Sequence, residues 1–455
     1  MKKRKKLKRK FLAYTLTICL TICILGLIYL GYRLMVKKEN NISFLETIET
    51  TTYAEINKYA IYGIHMNIAG SFTLPEEVEN LSLVLSNGQD TIDIDWQLEE
   101  LENNSYSFKT SDYINEGIVL EDLPIGEYYL LIKTTNHDEN NNEIIKYYSV
   151  QNKTDYSDLE YYTLTKNNKN NKIDIEWNTY QEFPTLRFNI FETKLPDDVY
   201  DITIDPGHDA VDSGMTACSD GSTPDYYTGY CSSGTTVKEN DLNLEVSLKL
   251  KTILEEMGYK VAMTRENKDD EVYIYEKYGS ATMANDTKSK FNFAIHHNSS
   301  GVTGGVSYLK GLELYVANDI NFDFADILVS EITKNANTTT SPKALYSVKD
   351  GIYQRFFTEE EIANDDVQPS NKTTNTIYYY NIREVGGIST NATNDGRYYP
   401  TYPKNEHYNS NNTAESYLFE LGYMDNYQNL LNIMNNSEGY AKGIAEGLKN
   451  YLKQE

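Results

Sequence analysis

The sequence predicts an α/β fold, a largely parallel sheet flanked by helices, preceded by a β-sandwich-like region and an N-terminal transmembrane helix. Three observations predict it. Phe11 to Tyr32 runs 22 residues without a charge. Short β-branched and aromatic segments then recur at roughly ten-residue spacing as far as Thr193. From Asp201 onward, apolar strands alternate with amphipathic helices. A chain of 455 residues has ample length for separate cores in these regions.

The N-terminus fixes a topology. Residues 1–10 are nearly all Lys and Arg and read as a cytoplasmic basic tail. As a helix the uncharged run spans roughly 33 Å, enough to cross a bilayer. It is too long for a cleavable signal, lacks a small-x-small site, and ends in Tyr29, Tyr32 and Arg33, which suit a membrane interface. Residues 11–36 are therefore expected to form an uncleaved signal anchor, single-pass in the cell membrane, with the remainder extracellular. Eleven of the 42 Lys and Arg lie within residues 1–38, leaving 31 bases against 67 acids in the rest. A body that acidic is a poor ligand for nucleic acid or anionic lipid.

Residues 43–193 carry candidate strands at Ala60–Ile68, Leu81–Leu85, Thr91–Trp96, Tyr106–Lys109, Gly117–Leu120, Tyr128–Thr134 and Glu143–Val150. Turn residues separate them, as in SNGQD and LPIGE. The Asn-rich stretches 136–143 and 166–172 read as long loops or a hinge. No cluster of ligand-type side chains appears, so this region reads as a spacer or a module for a wall or protein partner.

In residues 199–455, Ile202–Ile204 is a short strand that ends in Asp205-Pro206-Gly207-His208. Leu242, Val246, Leu250, Ile253 and Met257 give a helix that stops at Gly258. Strands follow at Tyr259–Met263, at Phe291–Ile295 before His296-His297, and at Leu312–Val316. A helix then carries Phe324, Ile327, Leu328 and Ile332. Ser416–Leu421 is an apolar strand broken by Glu420, and Tyr440, Ile444, Leu448 and Leu452 mark the closing helix.

Open α/β sheets bind ligands beyond the carboxyl ends of their strands. His208, His296 and Glu420 all fall at such ends, and Glu239 precedes the first long helix. Two imidazoles and a carboxylate are a common catalytic Zn²⁺ set that leaves one position open, and a second carboxylate nearby is a natural general base. An acid inside SYLFELGY is costly unless something pairs with it.

ITIDPGH at 202–208, DSG at 212–214, KENDLNLEVSLKLKTILEEMGYKVAMTRE at 238–266, AIHHNSS at 294–300 and FELGYMDN at 419–426 resemble zinc-dependent N-acetylmuramoyl-L-alanine amidases of the bacterial autolysin type. The resemblance runs from about Tyr200 to Leu452. It implies His208, Glu239 and His296 as zinc ligands and Glu420 as catalytic acid/base. It further implies peptidoglycan as substrate, cut at the amide between the MurNAc lactyl group and L-Ala. Asn298 and Arg383 are the candidate substrate-binding residues, Arg383 either holding a substrate carboxylate or pairing with Glu384. Two rival readings are an inactive wall-binding or activator protein and a zinc peptidase acting on stem peptides.

The chain departs from the family at Asp209-Ala210, where Gly usually follows DPGH, and at Ser280, where Arg is common. It also carries a long segment from about Thr338 to Glu415. Cys218 and Cys231 lie in an insertion between DSG and KE. An exported chain permits a disulfide, and these two are the expected pair, because Cys19 and Cys23 fall within the expected membrane span; the alternative is two free thiols or an accessory metal pair.

Overall fold

The computed structural model describes residues 44–152, 158–165, 169–177, 184–225, 227–274, 276–302, 307–364, 373–383, 385 and 412–453. The basic tail and the expected anchor at 11–36 lie outside the described residues. Among those residues, no helix is long and apolar enough to cross a membrane.

Between residues 48 and 193 the chain forms strands, with one 3-10 turn at Leu120–Asp122. Ile48–Tyr62, the central strand, pairs antiparallel with His65–Thr73 and parallel with Glu143–Asn152. Gly126–His137 pairs on one edge with Glu143–Asn152. Its other edge is shared, Arg187–Thr193 taking the first residues and Asn80–Ser86 the rest. Hydrogen bonds therefore join every strand into one branched sheet, where a sandwich has two separate ones. The sheet folds round a single core that collects Ile56, Ile61, Ile68, Leu83, Phe108, Leu130, Ile132, Ile173 and Phe188.

Three local expectations change. Ala60–Ile68 is not one strand but a hairpin, because the chain turns at Gly63, whose φ is +63°. The Asn-rich 136–143 is likewise a hairpin end, where the Asp138 carboxylate accepts from the Asn140 and Asn142 amides at 2.8 Å. Asn170–Glu176 is a strand, its pairing with Arg187–Thr193 overriding poor Asn propensity.

The second region is built on seven strands: β1 Ile202–Pro206, β2 Val261–Met263, β3 Phe291–Asn298, β4 Glu313–Tyr315, β5 Ser347–Lys349, β6 Ile352–Tyr353 and β7 Glu415–Tyr423. Their order is β2-β1-β3-β7-β4-β6-β5. The β2–β1, β1–β3, β3–β7 and β4–β6 pairs are parallel. The β7–β4 and β6–β5 pairs are antiparallel, so the sheet is mixed, with the four consecutive parallel strands β2-β1-β3-β7 on one side. The main helices are α1 Glu239–Glu256, α2 Asp323–Asn335, the single turn α3 Tyr380–Arg383, α4 Tyr427–Asn435 and α5 Ser437–Tyr451. Tyr440, Ile444 and Leu448 of α5 are fully buried, as their i+4 spacing requires, and α5 packs on both α1 and α2.

The two regions are not separate beads. Tyr62, Ile64 and Leu164 of the first belong to the apolar core of the second. Asn412–Thr413, two residues before β7, pairs in parallel with Ile61–Tyr62. The Ser416 amide donates to the Tyr62 hydroxyl at 3.2 Å. The Thr165 amide donates to Asp201 Oδ1 at 3.0 Å, and Asn115 both donates to and accepts from the Asn321 backbone.

Candidate active site

β1, β3 and β7 lie side by side, so their carboxyl ends bring distant parts of the chain together. The segment after β1 supplies His208, β3 supplies His296, and β7 supplies Glu420 in register with His296. Glu239 is the first residue of α1, one turn where a carboxylate also complements the helix dipole. Ligand atoms of His208, Glu239 and His296 all lie within 4.8 Å of one another. His208 Nε2 is 3.1 Å and His296 Nδ1 is 3.3 Å from Glu239 Oε1.

Two glycines make this approach possible. A Cβ on Gly207 would sit 2.1 Å from the His296 ring, and one on Gly214 would sit 2.6 Å from both Glu239 Oε2 and the His208 ring. The pleat of β3 separates its neighbouring histidines. His296 faces the cleft, whereas His297 is buried behind it, 2.7 Å from Asn243 Oδ1, and burial pulls its pKa down to about 4.

A second set of groups holds the cluster. Asp212 Oδ2 is 2.7 Å from His208 Nδ1, which turns Nε2 toward Glu239. The Met215 amide donates to Glu239 Oε2 at 2.8 Å, and the Glu239 amide donates to the Met215 carbonyl at 2.8 Å. Met215 opens a small hairpin, Thr216–Cys218 against Thr236–Lys238, that leads straight into Glu239. The Cys218–Cys231 disulfide, with Cα atoms 5.7 Å apart, ties this hairpin as expected. Closing a loop of this size contributes about 3 kcal/mol in the chain-entropy model.

The electrostatics call for a cation. Burial disfavours a charged His208, yet the carboxylates of Glu239 and Asp212 outweigh it and push its pKa up to about 9. Glu239 is itself held well below the usual carboxylate range, because the two imidazoles outweigh its burial. Two imidazoles and a carboxylate in this arrangement fit Zn²⁺ by donor type.

Glu420 behaves in the opposite way. Its Oε2 is buried without a hydrogen-bond partner. Burial, then the charges of Glu239 and Glu313, drive its pKa well above the usual range. His208, His296 and Glu420 line one cleft of about 500 Å³, together with Asp212, Ser280, Tyr379, Tyr380 and Asn381.

The two departures near the site are structurally absorbed. The Asp209 carboxylate accepts from the amides of Val211, Asp212 and Val272 at 2.8–2.9 Å and so shapes the loop that holds Asp212. Ser280 donates to Asp205 Oδ1 at 3.0 Å.

The expected substrate-binding residues are placed elsewhere. Asn298 donates to Glu313 Oε2 at 3.0 Å and is not among the cleft residues. Arg383 is buried, its Nη1 donating to the Ile377 carbonyl at 2.9 Å and to that of Tyr378 at 2.6 Å. Those bonds brace the turn that presents Tyr379, Tyr380 and Asn381 to the cleft, while Glu384, the other expected partner of Arg383, lies outside the described residues.

Sequence reasoning missed Glu313. It stands opposite Glu420 on β4, fully buried, and accepts from Tyr315, Tyr423, Ser341, Asn298 and Lys343. The signal was present, since GLELYV is an apolar strand broken by one acid, just as SYLFELGY is.

Residues 202–450 match the family described as N-acetylmuramoyl-L-alanine amidase. Among solved structures, Cwp6 from Clostridium difficile is 20% identical with a TM-score of 0.35, the match covering 55% of this chain and 29% of that one. An N-acetylmuramoyl-L-alanine amidase from Clostridium difficile 630 is 17% identical, TM-score 0.36, over 57% of this chain and all of that one. The catalytic domain of CwlV from Bacillus (Paenibacillus) polymyxa var. colistinus is 21% identical, TM-score 0.35, over 56% and 100%. No curated protein matches the chain.

Proposed function

The chain belongs to the N-acetylmuramoyl-L-alanine amidase family and is a peptidoglycan hydrolase, and on that premise we propose a metal-assisted cut with Glu420 as general base. The bond is the amide between the lactyl group of MurNAc and L-Ala of the stem peptide. The observation that carries the mechanism is the unpartnered, buried Glu420 Oε2 in the same cleft as the three-ligand cluster.

His208, Glu239 and His296 would hold the metal. Zn²⁺ bound by them supplies Lewis-acid polarisation of the attacking water and the scissile carbonyl. Glu420 accepts a proton from the water as its oxygen bonds to the carbonyl carbon. The same carboxyl then returns the proton to the departing nitrogen of L-Ala as the C–N bond breaks. The products are a lactyl carboxylate on the glycan and a stem peptide with a free amino terminus.

A cation held by His208, Glu239 and His296 would offset the Glu239 charge, one of the causes that raise the Glu420 pKa, and would favour the ionised form a base needs. Asp212 keeps His208 in the tautomer whose Nε2 faces Glu239.

The anchor at 11–36 belongs to the same reading, since an insoluble polymer cannot diffuse to its enzyme. The reaction is tested by digesting purified peptidoglycan with the full-length protein and identifying the products by mass spectrometry. Free stem peptides beginning in L-Ala, with intact glycan strands, are expected. Release of shorter peptides, with L-Ala still bound to MurNAc, would identify a peptidase instead.

A further inference from the structure

One buried side chain outside the cleft lining reaches all three ligand segments, and the mechanism does not use it. Asn243 lies one turn after Glu239 on the same face of α1 and is fully buried. Its Nδ2 donates to the Gly207 carbonyl at 2.9 Å and, at 3.4 Å, to Glu239 Oε1. A carbonyl can only accept, so Gly207 fixes which end of the carboxamide faces it. Oδ1 is left to accept from His297 Nδ1 at 2.7 Å. The His297 amide in turn donates to Glu239 Oε1 at 3.3 Å. A single carboxamide thus joins the residue before His208, the Glu239 carboxylate and the residue after His296.

The conformation of His208 gives the Gly207 bond its weight. His208 holds φ at +61°, a left-handed conformation that persists in a non-glycine residue only where its surroundings over-determine it. The Gly207 carbonyl belongs to the peptide unit joined to His208, and the orientation of that unit sets this φ. Arg265, 2% exposed, grips the same carbonyl through Nη2 at 3.1 Å and ties it to the Asn240 carbonyl of α1 at 2.8 Å. Resting on the metal site proposed above, we propose that Asn243 is a positioning residue that sets the three ligand segments in their metal-receiving geometry before the metal arrives. It is not itself a ligand, since its oxygen is spent on His297 and its nitrogen is a donor. Its effect is on affinity, because binding then need not order the segments.

Two readouts on the full-length protein need no turnover. Competition with a chromophoric chelator gives the zinc affinity, and the visible absorption of the Co²⁺ form reports the ligand geometry. Asn243→Leu keeps the side-chain volume and removes every hydrogen bond. Asn243→Ser stays polar but is too short to span the three segments, and it gives the reading if Asn243→Leu does not fold. Either variant should weaken zinc about 10–100-fold, the scale for groups that orient metal ligands, and should alter the Co²⁺ bands. Leu250→Ala is the control, a fully buried change on the same helix that touches none of these hydrogen bonds. It should lower the melting temperature while leaving zinc affinity and the Co²⁺ bands unchanged. Unchanged zinc affinity in the Asn243 variants, or an equal loss in Leu250→Ala at a comparable melting temperature, would overturn the proposal. Failure of the unaltered protein to bind either metal would overturn the metal site, and the proposal with it.

Discussion

The β region and the α/β region were built with different grammars, and the site is in the one whose grammar is easier to read. Strands β1, β3 and β7 are buried on both faces, so a polar residue in them stands out against an apolar run. The β region alternates buried and exposed residues, and polar residues there carry little information. Yet the two regions share a core through Tyr62, Ile64 and Leu164, and the β region hydrogen-bonds the segment that leads into the Glu420 strand. The difference teaches that a region with no candidate metal cluster among its described residues can still hold the strand that carries Glu420 in place.

Separating the regions is the strongest way to break this comparison. Residues 199–455 alone would lose the burial supplied by three large side chains, roughly 5 kcal/mol or more, comparable with the stability of a whole domain. The expected outcome is a fragment that melts far below the intact protein, which should unfold in one cooperative transition by calorimetry. A fragment as stable as the whole chain would show the β region to be a mere spacer.

A smaller effect lies wholly inside the α/β region. Glu313→Ala removes the acceptor for Lys343, two tyrosines, Ser341 and Asn298. Breaking a buried pair by removing one partner costs about 3–5 kcal/mol, toward the lower end here because Lys343 retains some contact with water. Urea unfolding measures it, and a loss below about 1 kcal/mol would reduce this network to surface-like pairs.

The smallest effect sits at the seam. Lys290 is fully buried against the Tyr161 ring, and burial pulls its pKa down to about 8 despite Asp201 and Glu121. Between pH 8 and the unfolded value of about 10.5 the unfolded chain binds more protons, so this group's contribution to stability rises with pH. Below pH 8 its full penalty of about 3 kcal/mol is present. Lys290→Met should therefore be more stable than the unaltered protein at pH 7, and the gain should shrink as pH approaches 10.5. A gain independent of pH would assign it to packing alone.

What was legible in the sequence follows the same division. His208, His296 and Glu420 could be placed because strand ends locate ligands in α/β sheets, Glu239 because it precedes the first long helix, and the family resemblance assigned the roles. The α1, α2 and α5 helices were legible from their periodicity. Asp212 was not, because its task depends on a loop conformation set by Asp209 and not on spacing. Arg383 was ambiguous, because charge alone does not separate a ligand from a residue that braces a turn, as its Nη1 does through two backbone carbonyls. The hairpin at Gly63 and the strand Asn170–Glu176 were obscured for a related reason, since pairing partners far along the chain decided them.

The central claim is that His208, Glu239 and His296 bind and Glu420 reacts. It is tested most directly by measuring zinc content and stem-peptide release together in His208→Ala, Glu239→Ala, His296→Ala and Glu420→Gln. The three ligand variants should lose zinc and activity in step. Glu420→Gln keeps the size of the side chain but cannot accept a proton, so it should keep its zinc while turnover falls by about 10²–10⁴-fold. Full zinc content in His208→Ala, or full turnover in Glu420→Gln, would contradict the account.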